Sequence, residues 1–251
     1  MPKILIKNKK TLFSILFLIS FIACLFLANF LSSFLIPTSS SSSSISSSPF
    51  EIYFISLSKS QVKNEALSLC PDYQKINAGG YVWEDGGYYR ILSSGYLNKN
   101  DAVLVQSSLK ENFQIESELF SVKFESFSVH GNFDSDEGKV LSKALNLFLE
   151  TYKSIYDIAV SLDTSVYNEI SARMAVNNSH NNLSTTIDNF DTIFSEKSNS
   201  LYLLSESLSI LKETSMKLCS ALNLNNNQTY SSLLKYRYIE MLNIFYNLLK
   251  N

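Results

Sequence analysis

The stretch GGYVWEDGGYYRILSSGYLNKNDA, from Gly79 to Ala102, decides how the chain is organised. It predicts two short aromatic strands around a tight turn, followed by the start of a helix. The pair Asp85-Gly86 is typical of a β-hairpin turn, because it tolerates positive φ. A single arginine, Arg90, lies there among four tyrosines and a tryptophan. We therefore expect a ligand-binding face, an internal packing face, or both.

The elements predicted on either side of this hairpin complete a small α+β domain. They are strands at 50–57 and 119–124 and helices at 58–69 and 98–110. Pro71 is expected to end the first helix, because proline lacks the backbone N–H that a helix interior needs. The order is β-α-β-β-α-β, the split pattern of ferredoxin-like domains, and we assign it to residues 50–126.

The hydrophobic period changes to helical spacing at Asp136 and keeps that spacing in the rest of the sequence. A calcium loop that starts at Asp134 would need glycine at its sixth position and glutamate at its twelfth, but these are Lys139 and Leu145. We therefore read Asp136 as the N-cap of the first of these helices. Further helices are predicted at 166–194, 199–222 and 230–249. Short connections favour antiparallel neighbours, so residues 134–251 are predicted to form an all-α helical bundle.

The N-terminal region combines lysines with a long uncharged apolar run from Leu12 to Ile36. This run is long enough to cross a hydrocarbon core of about 30 Å. We therefore predict a cytoplasmic basic tail at 1–10, a transmembrane helix at 11–36 and a flexible serine-rich linker at 37–49. The implied localisation is a single-pass cell-membrane protein with an extracytoplasmic bulk. A lipoprotein cleavage site at Cys24 is the alternative, although the apolar run continues beyond it.

Composition and motifs exclude several classes of protein. The formal net charge of −2 gives no basic footprint for nucleic acid. The sequence contains no spacing typical of a hydrolase, a metalloprotease or a phosphate-binding loop, so we expect no enzyme, no cofactor and no metal site. His130 and His180 are expected at the surface. Cys70 and Cys219 are open to two readings, a disulfide between the domains or free buried thiols.

Three features of residues 50–125 together resemble the SPOR domain of sporulation and cell-division proteins. They are the opening strand and helix FEIYFISLSKSQVKNEALSL, the pair Gly79-Gly80 before an aromatic strand, and YYRILSSGYLNKNDA. The resemblance implies binding of peptidoglycan, in particular glycan strands stripped of their stem peptides. Residues 56–58, SLS, depart from the family, which commonly has a glycine and then an aromatic residue there.

The glycan-binding residues that we predict are Trp83, Tyr88 and Arg90, because sugars bind flat aromatic faces and fixed hydrogen-bond donors. Tyr88 and Arg90 should share one face of their strand. The leading hypothesis is therefore a membrane-anchored peptidoglycan-binding protein that acts in cell division or sporulation. The alternative is a non-catalytic envelope scaffold that no longer binds glycan and recruits a protein partner through its helices. A third possibility is a cell-wall hydrolase, but the sequence shows no set of catalytic residues that supports it.

Overall fold

A computed structural model describes residues 43–195, 199–221 and 228–250, which form an α+β protein with six helices and two small sheets. All of these residues belong to one compact unit. The elements in chain order are β1 Ser43–Ser46, β2 Phe50–Ser60, α1 Lys63–Lys75, β3 Tyr81–Asp85, β4 Tyr88–Tyr96, α2 Lys99–Phe113, β5 Glu118–Phe124, β6 Ser128–Gly131, α3 Ser135–Asp163, α4 Glu169–Ile193, α5 Asn199–Cys219 and α6 Tyr230–Lys250.

The predicted fold class included a transmembrane helix, and this part of the prediction is wrong. Within the described ranges, no helix combines the length and the apolar character needed to cross a membrane. The long helices α3 to α6 are amphipathic, with polar and charged residues along one side. This finding overturns the fold class and the single-pass localisation that included such a span. The tail predicted at 1–10 and the span predicted at 11–36 lie outside the described residues.

The larger sheet is antiparallel, with its strands in the order β3-β4-β2-β5. Central strand β2 pairs with β4 on one side and with β5 on the other. Both of its faces are covered, which explains the almost unbroken apolar sequence FEIYFISL. Ile55 and Leu57 point towards α1 and α2, whereas Ile52 and Phe54 point towards the helices that follow the sheet.

Local boundaries differ from the predictions at several elements. Strand β2 continues to Ser60, across the predicted start of the first helix, and α1 begins at Lys63. Helix α1 continues through Pro71 to Lys75, since the carbonyl left without a partner by the proline belongs to exposed Leu67. The hairpin turn consists of Gly86 and Gly87, whose φ angles of 56° and 85° suit glycine. The cap of α3 is Asp134 rather than Asp136. Its side chain accepts from the N–H groups of residues 136 and 137, and Glu137 closes a capping box.

Part of the serine-rich segment predicted as a flexible linker is a strand. Residues Ser43–Ser46 pair with β6 to form the two-stranded sheet. Ile45 gives this strand an apolar anchor, because it packs against the main core. Buried Ser47 then accepts a hydrogen bond from the Phe127 N–H and donates its own N–H to the Phe127 carbonyl. Residues 43–47 are therefore held in place.

Helices α3 and α6 pack on the face of the large sheet that α1 and α2 leave open. One continuous core joins sheet residues such as Phe54 and Phe124 to bundle residues such as Phe148 and Phe245. Burial of a side chain of this size contributes about 1.5–3 kcal/mol. The regions predicted as separate domains at 50–126 and 134–251 consequently share a core.

Candidate binding site at the sheet edge

Trp83, the first predicted glycan-binding residue, lies inside the shared core. Only 2% of its surface is exposed. Its ring contacts Phe54, with centroids 5.4 Å apart, and Tyr246 of α6 at 5.2 Å. In this arrangement Trp83 offers no surface to a ligand, because α6 occupies the position that a sugar would take.

The aromatic face around Trp83 is a packing face along most of its length. Phe50 stacks on Phe124 at 4.6 Å, and Phe124 stacks on Phe245 at 6.0 Å. Phe148 of α3 adds a further ring, 4.8 Å from Phe245. Stacked aromatic pairs add about 0.5–1.5 kcal/mol beyond the area that they bury. Of the two roles expected for this face, the structure shows the internal one here.

Two tyrosine hydroxyls attach the bundle to the backbone of β4. The N–H of Gly95 donates to the Tyr238 Oη at 3.1 Å, and the Tyr152 Oη donates to the Gly95 carbonyl at 2.8 Å. Strand β3 pairs with β4 only as far as Leu92, so it does not reach Gly95. The two hydroxyls therefore take the place of a neighbouring strand as hydrogen-bond partners for the buried N–H and carbonyl of Gly95. We call this pair of hydrogen bonds the tyrosine clamp.

Arg90 lies on the same sheet face at the end that α6 does not cover. Its Nε donates to Asp85 Oδ2 at 2.9 Å, and its Nη1 donates to Glu118 Oε2 at 3.1 Å. The guanidinium also lies 4.8 Å from the centre of the Phe120 ring. Lys59 contacts the same Glu118, and hydrogen bonds from Lys59 and Arg90 lower the pKa of that carboxyl. Arg90 thus has partners within the protein that fix its position.

Tyr88 is the predicted site residue with the most open surface, with 40% of its area exposed. It begins β4 directly after the Gly86-Gly87 turn, opposite Asp85. The structure therefore separates the three predicted residues: Trp83 is buried, Arg90 is held by two carboxylates, and Tyr88 faces solvent.

A cleft of about 440 Å³ lies beside these residues, between the edge strand β3, the start of α1 and the end of α6. We call it the edge cleft. Its walls combine tyrosine rings, side-chain amides and charged groups, and its lining residues are Lys63, Tyr81, Val82, Glu84, Gly86, Tyr89, Asn243, Tyr246, Asn247 and Lys250.

Contacts within the edge cleft fix several of these groups. The Asn243 amide donates to the Tyr81 Oη at 3.0 Å, and the Lys250 ammonium lies 4.1 Å from the centre of the Tyr246 ring. Burial raises the pKa of Tyr81 well above its ordinary value, so its hydroxyl stays protonated and neutral. The cleft therefore presents ordered aromatic surfaces beside hydrogen-bonding groups, an arrangement that can hold a polar ligand.

Sequence reasoning missed this cleft because its two walls come from segments about 160 residues apart. A local signal was present in the second wall. Residues 243, 246, 247 and 250 follow the i, i+3, i+4, i+7 spacing of one helix face, and they are Asn, Tyr, Asn and Lys. This polar aromatic row lies on the same helix as the apolar row that fills the core.

His180, Cys70 and Cys219 carry reactive groups, and all three pack within the fold. His180 bonds to Ser215 Oγ at 3.1 Å and to Ser184, and burial lowers the pKa of its imidazole. Cys70 and Cys219 are free thiols, and burial raises the pKa of both. Within the part of the chain that the structure describes, no group of three acidic, histidine or cysteine side chains is placed to bind a metal ion.

Comparison with protein-family models, with curated proteins and with solved structures gave no match to this chain.

Proposed function

We propose that the protein is a non-catalytic saccharide-binding protein that acts in cell division or sporulation. Its ligand is the glycan strand of peptidoglycan, and the edge cleft receives the sugar. The observation that supports this proposal is the composition of the cleft. Half-buried tyrosines, two asparagines and one glutamate surround an open space of about 440 Å³. This volume is within the usual range for small-molecule sites, about 300–1,000 Å³.

Each component of the edge cleft suits one part of an N-acetylated sugar. The tyrosine rings supply flat apolar surfaces for the C–H groups of a pyranose. Side-chain amides that line the cleft, such as that of Asn243, carry both donors and acceptors, which suit hydroxyl and acetamido groups. Glu84 accepts from hydroxyls, and Lys63 and Lys250 donate. Such paired donors and acceptors recognise neutral polar ligands that have little apolar area.

The proposed sugar contact lies at the edge of the sheet, whereas the sequence predicted it on the face of the sheet. Trp83 contributes indirectly, because its ring supports Tyr246, one wall of the cleft. Tyr89 lines the cleft, and its neighbour Tyr88 lies exposed beside it. The aromatic hairpin that carried the resemblance to SPOR domains thus still contributes to the proposed site.

A protein scaffold is the second candidate function, and a different observation favours it. Val166, Ile170 and Met174 are four residues apart, and each exposes more than 60% of its surface. Val166 lies in the loop before α4, and Ile170 and Met174 are one turn apart on α4 itself. Together they expose apolar surface where a lone monomer would normally present polar residues. In this reading the helices recruit a partner, and the covered aromatic face explains why the sheet binds no glycan.

A sedimentation assay with peptidoglycan sacculi stripped of stem peptides tests the first proposal on the full-length protein. Asn247→Trp places a large ring in the edge cleft from an exposed helix position, and we expect it to lower retention at least about fivefold. Asn177→Trp makes the same change at an exposed position of α4 and should leave retention unchanged. If the wild type is not retained, or if both variants are retained equally, the edge cleft is not a glycan site.

A further inference from the structure

A second cavity lies at the other end of β4, between α2, α3 and the start of α6. Its volume is about 380 Å³, and we call it the tyrosine pocket. Leu104 of α2 and Val160 of α3 line it, although 69% and 39% of their surfaces are exposed. Apolar side chains that surround an open cavity and still contact water are typical of a ligand site.

Two aromatic rings form the inner wall of the tyrosine pocket. Tyr96 and Tyr156 meet edge to face, with centroids 5.9 Å apart and planes at 85°. Ser94 Oγ donates to the Tyr96 hydroxyl at 2.9 Å, which fixes that ring. Burial raises the pKa of Tyr96 to about 12 and also raises the pKa of Tyr156. Both rings are therefore neutral and electron-rich at physiological pH.

The charges at the mouth of the tyrosine pocket are unbalanced. Lys235 neutralises Asp163 through a contact of 2.6 Å and also donates to the Asn77 carbonyl. Asp101, at the start of α2, has no ion pair within the described ranges. Its negative charge acts on both rings, because it contributes to the raised pKa values of Tyr96 and Tyr156. The pocket consequently carries one net negative charge beside apolar and aromatic walls.

We propose that the tyrosine pocket binds an amphipathic organic cation, meaning an amine carried on an apolar body. The apolar body lies against Leu104 and Val160, and the ammonium group lies between the tyrosine faces and Asp101. Cations are attracted to the faces of aromatic rings, and the attraction is stronger where water is excluded. A carboxylate at the mouth adds a direct ionic contact. An anionic ligand with the same apolar body is repelled by Asp101.

Three probes with one apolar body and different charges test this proposal by titration calorimetry on the full-length protein at pH 7. They are 4-phenylbutylamine, 4-phenylbutanol and 4-phenylbutyrate. We expect the amine to bind at least about fivefold more tightly than the alcohol, and the carboxylate to bind most weakly. Asp101→Asn should bring the amine to the affinity of the alcohol. The matched control Asp136→Asn removes an exposed carboxylate at the distant end of α3 and should change nothing.

The variant Val160→Trp fills the cavity and should abolish binding of all three probes, while an unchanged thermal melt shows that the fold is intact. Equal affinities for the amine and the carboxylate would overturn the proposal. The same conclusion follows if no probe binds, or if Asp101→Asn and Asp136→Asn have equal effects. These outcomes do not depend on the sacculus assay, because the tyrosine pocket and the edge cleft share no lining residue.

Discussion

Tyr238→Phe removes one bond of the tyrosine clamp and nothing else. The hydroxyl of Tyr238 is buried and accepts the Gly95 N–H at 3.1 Å. Phenylalanine fills the same space, so no cavity of ring size forms. The change leaves a buried backbone donor without its partner, and such a loss costs about 1–3 kcal/mol. For a chain of this size, a loss of 2 kcal/mol lowers the melting temperature by about 4–8 °C.

Two optical signals follow unfolding at the contact between sheet and bundle and in the helices. Trp83 is the only tryptophan in the sequence and lies between the sheet and α6, so its fluorescence follows their separation. Far-ultraviolet circular dichroism follows the helices. In urea titrations we expect both signals to change in one transition, because sheet and bundle share a core. Tyr238→Phe should shift that single transition to lower urea.

The control is Tyr202→Phe, which removes the hydroxyl of an exposed tyrosine on α5 and should change stability by less than about 0.5 kcal/mol. A double variant with Tyr152→Phe should show coupling, since both hydroxyls bond to Gly95. Our account of the clamp fails if Tyr238→Phe has no larger effect than Tyr202→Phe. Two separate transitions in the wild type would show that sheet and bundle are independent.

Three further predictions concern single residues. Gly95→Ala should destabilise the fold by about 1–3 kcal/mol in urea titrations, because its Cβ would lie 2.7 Å from Phe54 Cε1. The control Gly138→Ala, in α3, should be neutral or stabilising, and an equal loss at both sites would contradict this account. Hydrogen bonds from Lys59 and Arg90 lower the pKa of Glu118, so these ion pairs contribute stability that is present at neutral pH and lost as the pH falls through the lowered pKa. Arg90→Ala should therefore weaken the acid dependence of stability, and an unchanged pH profile would refute that role. Burial raises the pKa of Cys70 to about 11, so mass spectrometry after N-ethylmaleimide treatment at pH 8 should find it labelled only in urea, and rapid native labelling would count against its burial.

Local patterns predict the order of strands and helices over residues 50–124, because the change between periods of 2 and 3.6 marks each element. They also predict the start of the helical region, with an error of two residues at its cap. The misplacement of the cap has a simple cause. Asp134 and Asp136 are both suitable N-caps, and the structure selects Asp134 because Glu137 completes a capping box with it.

Sequence alone does not show what covers the second face of the sheet. A row such as Phe120, Val122 and Phe124 is equally suitable for a ligand surface and for packing against helices. One local signal favoured packing: β2 is apolar at consecutive positions, which is typical of a strand buried on both sides. The strand at Ser43–Ser46 was not predicted, because pairing with β6 rather than side-chain periodicity defines it.

The distance in sequence between the sheet and α6 has a consequence for synthesis of the protein. The aromatic face of the sheet is complete once Phe124 has been made, whereas its cover ends at Lys250. At about 5–20 residues per second, the ribosome needs roughly 6–25 s to add those residues. During that interval the rings of Phe50, Trp83 and Phe124 lack their final partners, and the nascent chain exposes a surface suited to chaperones. A stop codon before α6 would make this exposure permanent.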